Sequence, residues 1–334
     1  MKKFFLTSIV IGLTLFWSGC GGSGDDDSKG GGPDGKSQSK GLIGYTSKSL
    51  SNPFFKIIGD TLVTEGEKYG YEVRVLDGGE DVKKQDNQID DFISQNASVI
   101  VVSPCDSLTV GAAIRKANAK GIPVFTVDLA CTDPEAKITG HVESANYAGG
   151  KLAGEAMIEA LGETGGKVLV LHFETADSCK QRVEGFTEVI NAHNEGKASG
   201  RIVIAGILPG GGNQTMGKKS TGDFLSGNKD LAGIFAINDP SALGAYAALK
   251  QNGLEGKVKI VGFDGELAGK RAILEGKIFA DPIQFPDKMA VITMQNIQKY
   301  FKGEDFNKLH LIPTALYTKA DAEKDPALQD VTDK

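Results

Sequence analysis

Polar and aromatic side chains directly follow several apolar runs of this sequence, and they are the first candidates for ligand chemistry. They occupy Ser51–Phe55, Asp128, Asn238–Asp239 and Phe263–Gly265. A carboxylate accepts hydrogen bonds, a carboxamide both accepts and donates them, and an aromatic ring offers a flat apolar surface. This set of residue types therefore suits the binding of a small polar ligand.

Patterns typical of catalysis or of metal binding are not found beside these residues. The sequence has no G-x-S-x-G or H-E-x-x-H motif. Cys105, Cys131 and Cys179 show no C-x-x-C spacing, and if Cys20 is modified at least one of the three is unpaired. The four histidines lie far apart, at His141, His172, His193 and His310. We expect a binding protein that is not an enzyme and that needs neither a metal ion nor a cofactor.

The elements that must position the candidates alternate regularly from residue 41 onward. Strands are predicted at Leu42–Thr46, Glu72–Leu76, Ser98–Ser103, Pro123–Val127, Ile138–Val142, Lys167–His172, Ile202–Leu208, Gly233–Ile237 and Val258–Gly262. Runs such as Val99–Val102 are apolar throughout, as expected for parallel strands buried on both faces. Amphipathic segments between them predict helices at Phe54–Tyr69, Val82–Gln95, Leu108–Ala119, Asn146–Leu161 and Pro240–Gln251.

Two blocks of strands and helices follow one another, before and after about residue 144. Strand–helix–strand units of this length predict right-handed crossovers, with helices on both faces of each sheet. The fold class is therefore α/β, with two doubly wound, Rossmann-like lobes. Ligands of such folds bind beyond the carboxyl ends of the strands, which is where the candidate residues fall.

The N-terminus predicts export. Lys2 and Lys3 precede an apolar run, Phe4–Trp17, that is shorter than the roughly 20 residues that a membrane span needs. Ser18 and Gly19 then lead to Cys20, an arrangement that resembles the bacterial lipobox, although Trp17 departs from its usual aliphatic residue. We predict a signal peptide at 1–19, a lipidated Cys20 and a flexible Gly/Ser/Asp tether that extends to residue 40. The alternative is an ordinary cleaved signal followed by a chance cysteine.

Composition limits the possible partners. The chain has 334 residues and a formal net charge of −6, and its charges are dispersed. An acidic surface without a basic cluster argues against nucleic-acid binding. The part beyond the tether is long enough for two domains of ordinary size.

The segments after the strands resemble those of the ribose-type, or type I, periplasmic sugar-binding proteins. The resemblance covers Gly41 to about Lys319. Seven motifs occur in the order typical of that family: Asn52–Phe55, Ser103–Ser107, Gly121–Asp128, Arg182–Phe186, Ile237–Ala245, Ile260–Gly265 and Ile283–Asp287.

The resemblance implies a site, a motion and a role. The sugar would be bound by Asn52, Phe54, Phe55, Asp128, Arg182, Asn238, Phe263, Asp264 and Gln284. The lobes would be residues 41–144 plus 285–313 and residues 145–284 plus 314–334. Three hinge crossings near Ser144, Gln284 and Thr314 would join the lobes, which close over the ligand. The chain would be a monomer outside the cytoplasm, lipid-anchored to the membrane, that delivers a monosaccharide to the permease of an ABC importer.

Alternatives remain for single residues and for the function. Asn52 and Pro53 also fit a plain helix start, Phe54 and Phe55 fit a core, and Arg182 could pair with Glu184 or Glu188. A sugar sensor that docks on a chemoreceptor or receptor kinase would have the same sequence features. The effector half of a repressor of the lactose-repressor kind would need a DNA-binding motif before residue 41, where this chain has a signal and a tether.

Two departures from the ribose-type pattern concern the ligand. Leu129 stands where the ribose proteins have an arginine, and Gly212 falls where the second lobe often has an aromatic ring. We therefore expect a pentose or hexose other than ribose. Gly212–Lys219 also comes close to a phosphate-binding P-loop but lacks its final hydroxyl. Nucleotide hydrolysis is not expected, while the lysines of this loop raise the minor hypothesis of an anionic sugar.

Overall fold

The computed structural model describes residues 39–329. The predicted signal peptide, Cys20 and nearly all of the tether lie outside the described residues, as do the last five residues of the predicted second lobe. The strands are β1 (Leu42–Ser47), β2 (Glu72–Asp77), β3 (Val99–Val102), β4 (Val124–Val127), β5 (Gly140–Ser144), β6 (Gly166–His172), β7 (Ile202–Pro209), β8 (Leu231–Ala236), β9 (Lys259–Val261), β10 (Ala280–Ile283), β11 (Leu309–Ile312) and β12 (Ala315–Thr318).

Eleven α-helices connect or flank the strands in this part of the chain. They are α1 (Pro53–Tyr69), α2 (Val82–Ser94), α3 (Gly111–Ala119), α4 (Asn146–Leu161), α5 (Asp177–Asn194), α6 (Gln214–Leu225), α7 (Asp239–Gln251), α8 (Leu267–Leu274), α9 (Pro286–Lys302), α10 (Lys319–Ala322) and α11 (Pro326–Gln329). Within residues 39–329, no helix combines the length and the apolar character that a membrane span needs.

The strands form two six-stranded sheets. The first has the order β11-β5-β4-β3-β1-β2 and the second the order β12-β10-β9-β8-β6-β7. All named strand pairs are parallel except β10 and β12. The chain passes between the sheets after β5, after β10 and after β11, which gives three crossings. The predicted fold class, α/β with two parallel-sheet lobes, is confirmed.

Three asparagines start helices at the carboxyl ends of the strands. Asn52 accepts a hydrogen bond from the Phe54 amide at the start of α1, and Asn213 and Asn238 cap α6 and α7 in the same way. An asparagine cap of this kind stabilises a helix by about 0.5–2 kcal/mol. The caps therefore fix the points at which the chain leaves each sheet.

Helices α4 and α5 pack unusually closely against each other. A Cβ on Gly150 would lie 2.1 Å from the carbonyl oxygen of Arg182, and one on Gly185 would lie 2.1 Å from that of Tyr147. Only glycine allows the two backbones to approach this far. This packing brings α5, and with it Arg182, close to the start of α4.

Candidate ligand-binding cleft

A cavity of about 390 Å³, counting its opening, lies where the carboxyl ends of the two sheets face each other. Its lining includes eight of the nine side chains that the sequence indicated: Asn52, Phe54, Phe55, Asp128, Arg182, Asn238, Asp264 and Gln284.

Arg182 is the centre of a hydrogen-bond network on the second-sheet side. Its Nη1 donates to Asp264 Oδ1 at 2.9 Å and to the Ile237 carbonyl at 2.7 Å, and its Nε donates to Asn146 Oδ1 at 2.9 Å. Gln284 Nε2 donates to the same Asp264 oxygen at 2.6 Å. Arg182 therefore pairs with Asp264 and not with Glu184 or Glu188 on its own helix, and Glu188 pairs instead with Lys151.

Phe263 does not line the cavity, so the structure does not place it as a stacking wall. Its ring is fully buried, and the Arg182 guanidinium lies over it at 3.9 Å from the ring centroid. A Cβ on Gly149 of α4 would lie 2.6 Å from the far edge of the ring. Phe263 thus supports Arg182 from behind, because its side chain points from the strand end toward α4 instead of into the cleft.

Asp128 and Asp264 both have left-handed backbone conformations, with φ of 66° and 104°. Such values are uncommon for residues other than glycine, and functional sites are among the places where they persist. Asp128 Oδ1 is buried without a hydrogen-bond partner in the described part of the chain. Burial raises the pKa of Asp128 to about 7, and the nearby Asp264 carboxylate adds to the rise while Arg182 opposes it.

The remaining first-sheet lining is largely apolar. The Phe54 and Phe55 rings meet edge to face, with their centroids 5.4 Å apart, and both are nearly buried. Leu129 lies beside them on the cavity wall. Rings arranged in this way can pack on the C–H face of a ligand.

Lys48 and Phe173 are among the lining residues that the sequence did not indicate. Lys48 follows β1 and Phe173 follows β6, and the Lys48 ammonium lies 4.0 Å from the centroid of the Phe173 ring. The signal for Lys48 was its position three residues before the predicted strand-end segment Ser51–Phe55. Lys218 and Lys219, which raised the hypothesis of an anionic sugar, are exposed, and Lys219 pairs with Asp223.

Contacts across the cleft join the two sheets' edges. The Ser107 amide donates to the Thr175 carbonyl at 3.1 Å, and the Asp177 amide donates to Ser107 Oγ at 3.2 Å. Burial raises the pKa of Glu266 to about 8, the Asp264 carboxylate adds to the rise, and the Asn52 side chain opposes it. The cleft is therefore closed over the cavity.

Cys105, Cys131 and Cys179 are free thiols. Between residues 39 and 329, no group of three or more His, Cys, Asp or Glu side chains could hold a metal ion.

Comparison with known proteins places this architecture in a family. The model of the periplasmic binding protein domain matches residues 43–305, and the chain therefore belongs to that family, whose members act outside the cytoplasm. The chain is 31% identical over 281 residues to the ribose import binding protein of Escherichia coli (strain K12), an alignment that covers 84% of this chain and 91% of that protein.

Two further relatives show the range of the family. The D-apiose import binding protein of Paraburkholderia graminis is 33% identical over 296 residues, which cover 87% of this chain and 91% of that protein. A solute-binding protein of an ABC transporter from Mycobacterium smegmatis, solved with bound glycerol, is 28% identical with a TM-score of 0.77, and covers 85% of this chain and 96% of its own. These relatives are binding proteins of transporters, so the expectation of a protein that is not an enzyme is confirmed.

Proposed function

We propose that this protein binds a monosaccharide in the closed cleft and delivers it to an ABC-type importer. The observation that carries the proposal is the convergence of eight predicted side chains from six separate segments in one cavity. Buried acceptors without partners in the described residues, Asp128 Oδ1 and Gln284 Oε1, support it. Sugar hydroxyls are donors that would satisfy both atoms.

Each half of the proposed site has its own task. Arg182, Asp264, Asn238 and Gln284 would hold hydroxyls through charge-assisted or amide hydrogen bonds. Phe54 and Phe55 would cover a C–H face of the ring. A hydrogen bond to a charged group contributes about 1.5–3 kcal/mol, so two or three of them and the stacked rings suffice for the roughly −8 kcal/mol of micromolar binding.

The proposal includes the lobe boundaries and the N-terminal anchor. The sheet order supports lobes formed by residues 41–144 plus 285–313 and by residues 145–284 plus 314–334. We also propose a monomer whose Cys20 carries lipid, with the following polar residues as a tether near the permease. If so, Cys20→Ser releases the protein from the membrane fraction, and a protein that is soluble with either residue would contradict the anchor.

A thermal-shift screen of the protein tests the sugar proposal. Neutral pentoses, hexoses, polyols and sugar acids are each added, and a ligand at 100 times its Kd stabilises the protein by about 2.7 kcal/mol. Titration calorimetry then gives Kd and stoichiometry for the best ligand. If no carbohydrate raises the melting temperature, the proposed function is wrong.

A further inference from the structure

Glu143 is a buried carboxylate at the first crossing between the lobes. It is the next-to-last residue of β5 in the first sheet, and it is 4% exposed. Its Oε2 accepts a hydrogen bond from Asn146 Nδ2 at 3.0 Å, and His141 Nε2 lies 3.6 Å from the same oxygen. A carboxylate is costly to bury unless it is hydrogen-bonded or paired. Glu143 therefore depends on the Asn146 amide, and in turn holds that amide in one orientation.

Asn146 connects Glu143 to the second lobe. It is fully buried and is the first residue of α4, which packs against α5 and against β9 and β10 of the second sheet. Its Nδ2 also donates to the Ser144 carbonyl at 3.0 Å, and its Oδ1 accepts from Arg182 Nε at 2.9 Å. A carboxamide can donate and accept at once. A chain of hydrogen bonds therefore runs from β5 of the first sheet to Arg182 on α5.

The start of α4 does not explain the asparagine at position 146. The cap residue is Ala145, which makes no side-chain cap hydrogen bond, and the Asn146 side chain is bonded to other groups. Ala145 is also the one residue between the end of β5 and the start of α4. A rotation of the lobes at this crossing changes the backbone angles here, and with them the distance between the Glu143 and Asn146 side chains. The Glu143–Asn146 hydrogen bond is therefore sensitive to closure.

The contact with Asn146 completes the orientation of the Arg182 guanidinium. Nη1 donates to Asp264 and to the Ile237 carbonyl, Nε donates to Asn146, and the Phe263 ring lies against the guanidinium plane. The guanidinium is a rigid planar fork, so bonds at Nε and Nη1 fix its rotation within that plane. Arg182 Nη2 makes no hydrogen bond among residues 39–329, and Arg182 lines the cavity. Nη2 is thus the donor that remains for a ligand.

We infer that Glu143 and Asn146 are positioning residues for sugar binding, which orient the Arg182 guanidinium toward the cavity through a chain of hydrogen bonds across the first crossing. The inference rests on the proposed function. Neither Glu143 nor Asn146 lines the cavity, so both act through Arg182 and not on the sugar itself. Because the chain spans the crossing, the closed backbone and the correct guanidinium orientation stabilise each other.

The test is a double-mutant cycle with the best sugar from the thermal-shift screen. Calorimetric Kd values are measured for the wild type, Glu143→Leu, Arg182→Lys and the double variant. Glu143→Leu removes the acceptor for the Asn146 amide, and we expect it to weaken binding roughly tenfold. Arg182→Lys keeps a cation but loses the planar fork, so the chain is already broken. In that background, Glu143→Leu should weaken binding less than about twofold.

Two further variants separate positioning from a general loss of structure. Glu143→Gln keeps an acceptor oxygen for the Asn146 amide, so its Kd should stay within about threefold of the wild type. Gln85→Leu is the matched control, because Gln85 is a buried polar residue of the first lobe that lies outside the cavity. Whatever its effect on Kd, the factor should be the same with Arg182 and with Arg182→Lys. Melting temperatures show which variants have folded, and Asn146→Ala replaces Glu143→Leu in the cycle if the latter has not.

The outcomes separate the failure of this inference from that of the proposed function. If the wild type binds no sugar, the proposed function fails and the inference fails with it. If sugar binds but Glu143→Leu weakens binding by the same factor in both backgrounds, Glu143 acts independently of Arg182 and the inference is overturned. A Glu143→Gln variant as weak as Glu143→Leu also overturns it, because the hydrogen-bond acceptor would then not be what matters.

Discussion

The two sides of the cleft differ in how many of their polar groups are hydrogen-bonded to other protein groups. On the second-sheet side, Arg182, Asp264 and Gln284 hold one another through hydrogen bonds of 2.6–2.9 Å. On the first-sheet side, Asp128 Oδ1 and Lys48 Nζ make no hydrogen bond within the described residues. The second-sheet side is therefore the more preorganised of the two, although Gln284 Oε1 also lacks a partner among the described residues, whereas the first-sheet side depends on a ligand to satisfy Asp128 and Lys48. Preorganisation of one half lowers the entropic cost of binding. Unsatisfied polar groups in the other half gain hydrogen bonds when a ligand is bound, which stabilises the closed state.

Arg182→Met should have the largest effect, because it removes the centre of the hydrogen-bond network on the second-sheet side. It leaves Asp264 buried without its cation, and loss of one partner of a buried ion pair typically costs about 3–5 kcal/mol of stability. We also expect sugar affinity to fall at least ~100-fold, because the donor that faces the ligand disappears. Urea unfolding and calorimetry measure the two effects.

Arg201→Met is the matched control, because Arg201 is exposed and lies outside the cavity. Its unfolding free energy and its Kd should stay within about 0.5 kcal/mol of the wild type. If Arg182→Met were as stable as Arg201→Met, the second-sheet network would not be the rigid half of the site.

Gly150→Ala tests whether helix packing sets the position of Arg182. The new Cβ would lie 2.1 Å from the Arg182 carbonyl oxygen, so α5 must shift. Overpacking of this kind costs about 1–3 kcal/mol, and we expect a roughly tenfold loss of affinity as the guanidinium moves. Gly222→Ala in α6 is the control, because a Cβ there has no neighbour within 4 Å. That control should gain up to about 1 kcal/mol from helix propensity and bind normally.

Asp128→Asn tests the unsatisfied half and has opposite effects on stability and binding. The folded-state pKa of Asp128, about 7, lies above its ordinary value of 3.8. The stability that this difference contributes is fully present below pH 3.8 and is lost as pH rises toward 7. Asparagine stays neutral and tolerates the left-handed backbone. Without sugar, the variant should therefore match the wild type near pH 4 and exceed it at pH 8, in urea titrations.

The effect of Asp128→Asn on sugar affinity should be opposite to its effect on stability. A hydroxyl donates more strongly to an ionised carboxylate, so wild-type affinity should rise several-fold as pH increases from 6 to 8. The affinity of Asp128→Asn should be lower and nearly flat over this range. Parallel pH profiles for the two proteins would mean that Asp128 does not face the ligand.

Most of the fold could be predicted from the sequence, up to its last strands. The strands through β9 were predicted mainly because apolar, β-branched residues such as those of Val99–Val102 mark buried parallel strands. Strand β10 has only four residues and contains Asp281 and Pro282, while β11 exposes Leu309 and Leu311. Short strands at polar crossings carry too little hydrophobic pattern to be recognised, and their place in the sheets depends on partners distant in the chain.

The sequence predicted which segments form the site but not the direction in which each side chain points. Parallel sheets bring the residues after their strands together, which is why eight of nine candidates share one cavity. Phe263 was misplaced, because its position at a strand end does not reveal that its ring packs behind Arg182. Lys48 was missed, because a lysine after a strand is usually a solvated residue and only the facing lobe buries it.

Ser107→Ala should give the smallest effect, since it alters a contact that joins the two sides without touching the cavity. It removes the acceptor for the Asp177 amide, a hydrogen bond of 3.2 Å across the cleft. A neutral hydrogen bond contributes about 0.5–1.5 kcal/mol, and this one exists only when the lobes are closed. Affinity should fall roughly two- to tenfold for every sugar alike, with the unfolding free energy of the unliganded protein nearly unchanged. Ser94→Ala, which removes a hydroxyl bonded within α2, is the control and should bind as the wild type does. A loss of affinity confined to one sugar would instead mean that Ser107 contacts the ligand. Ser107 would then be a further polar group of the first-sheet side that depends on the ligand.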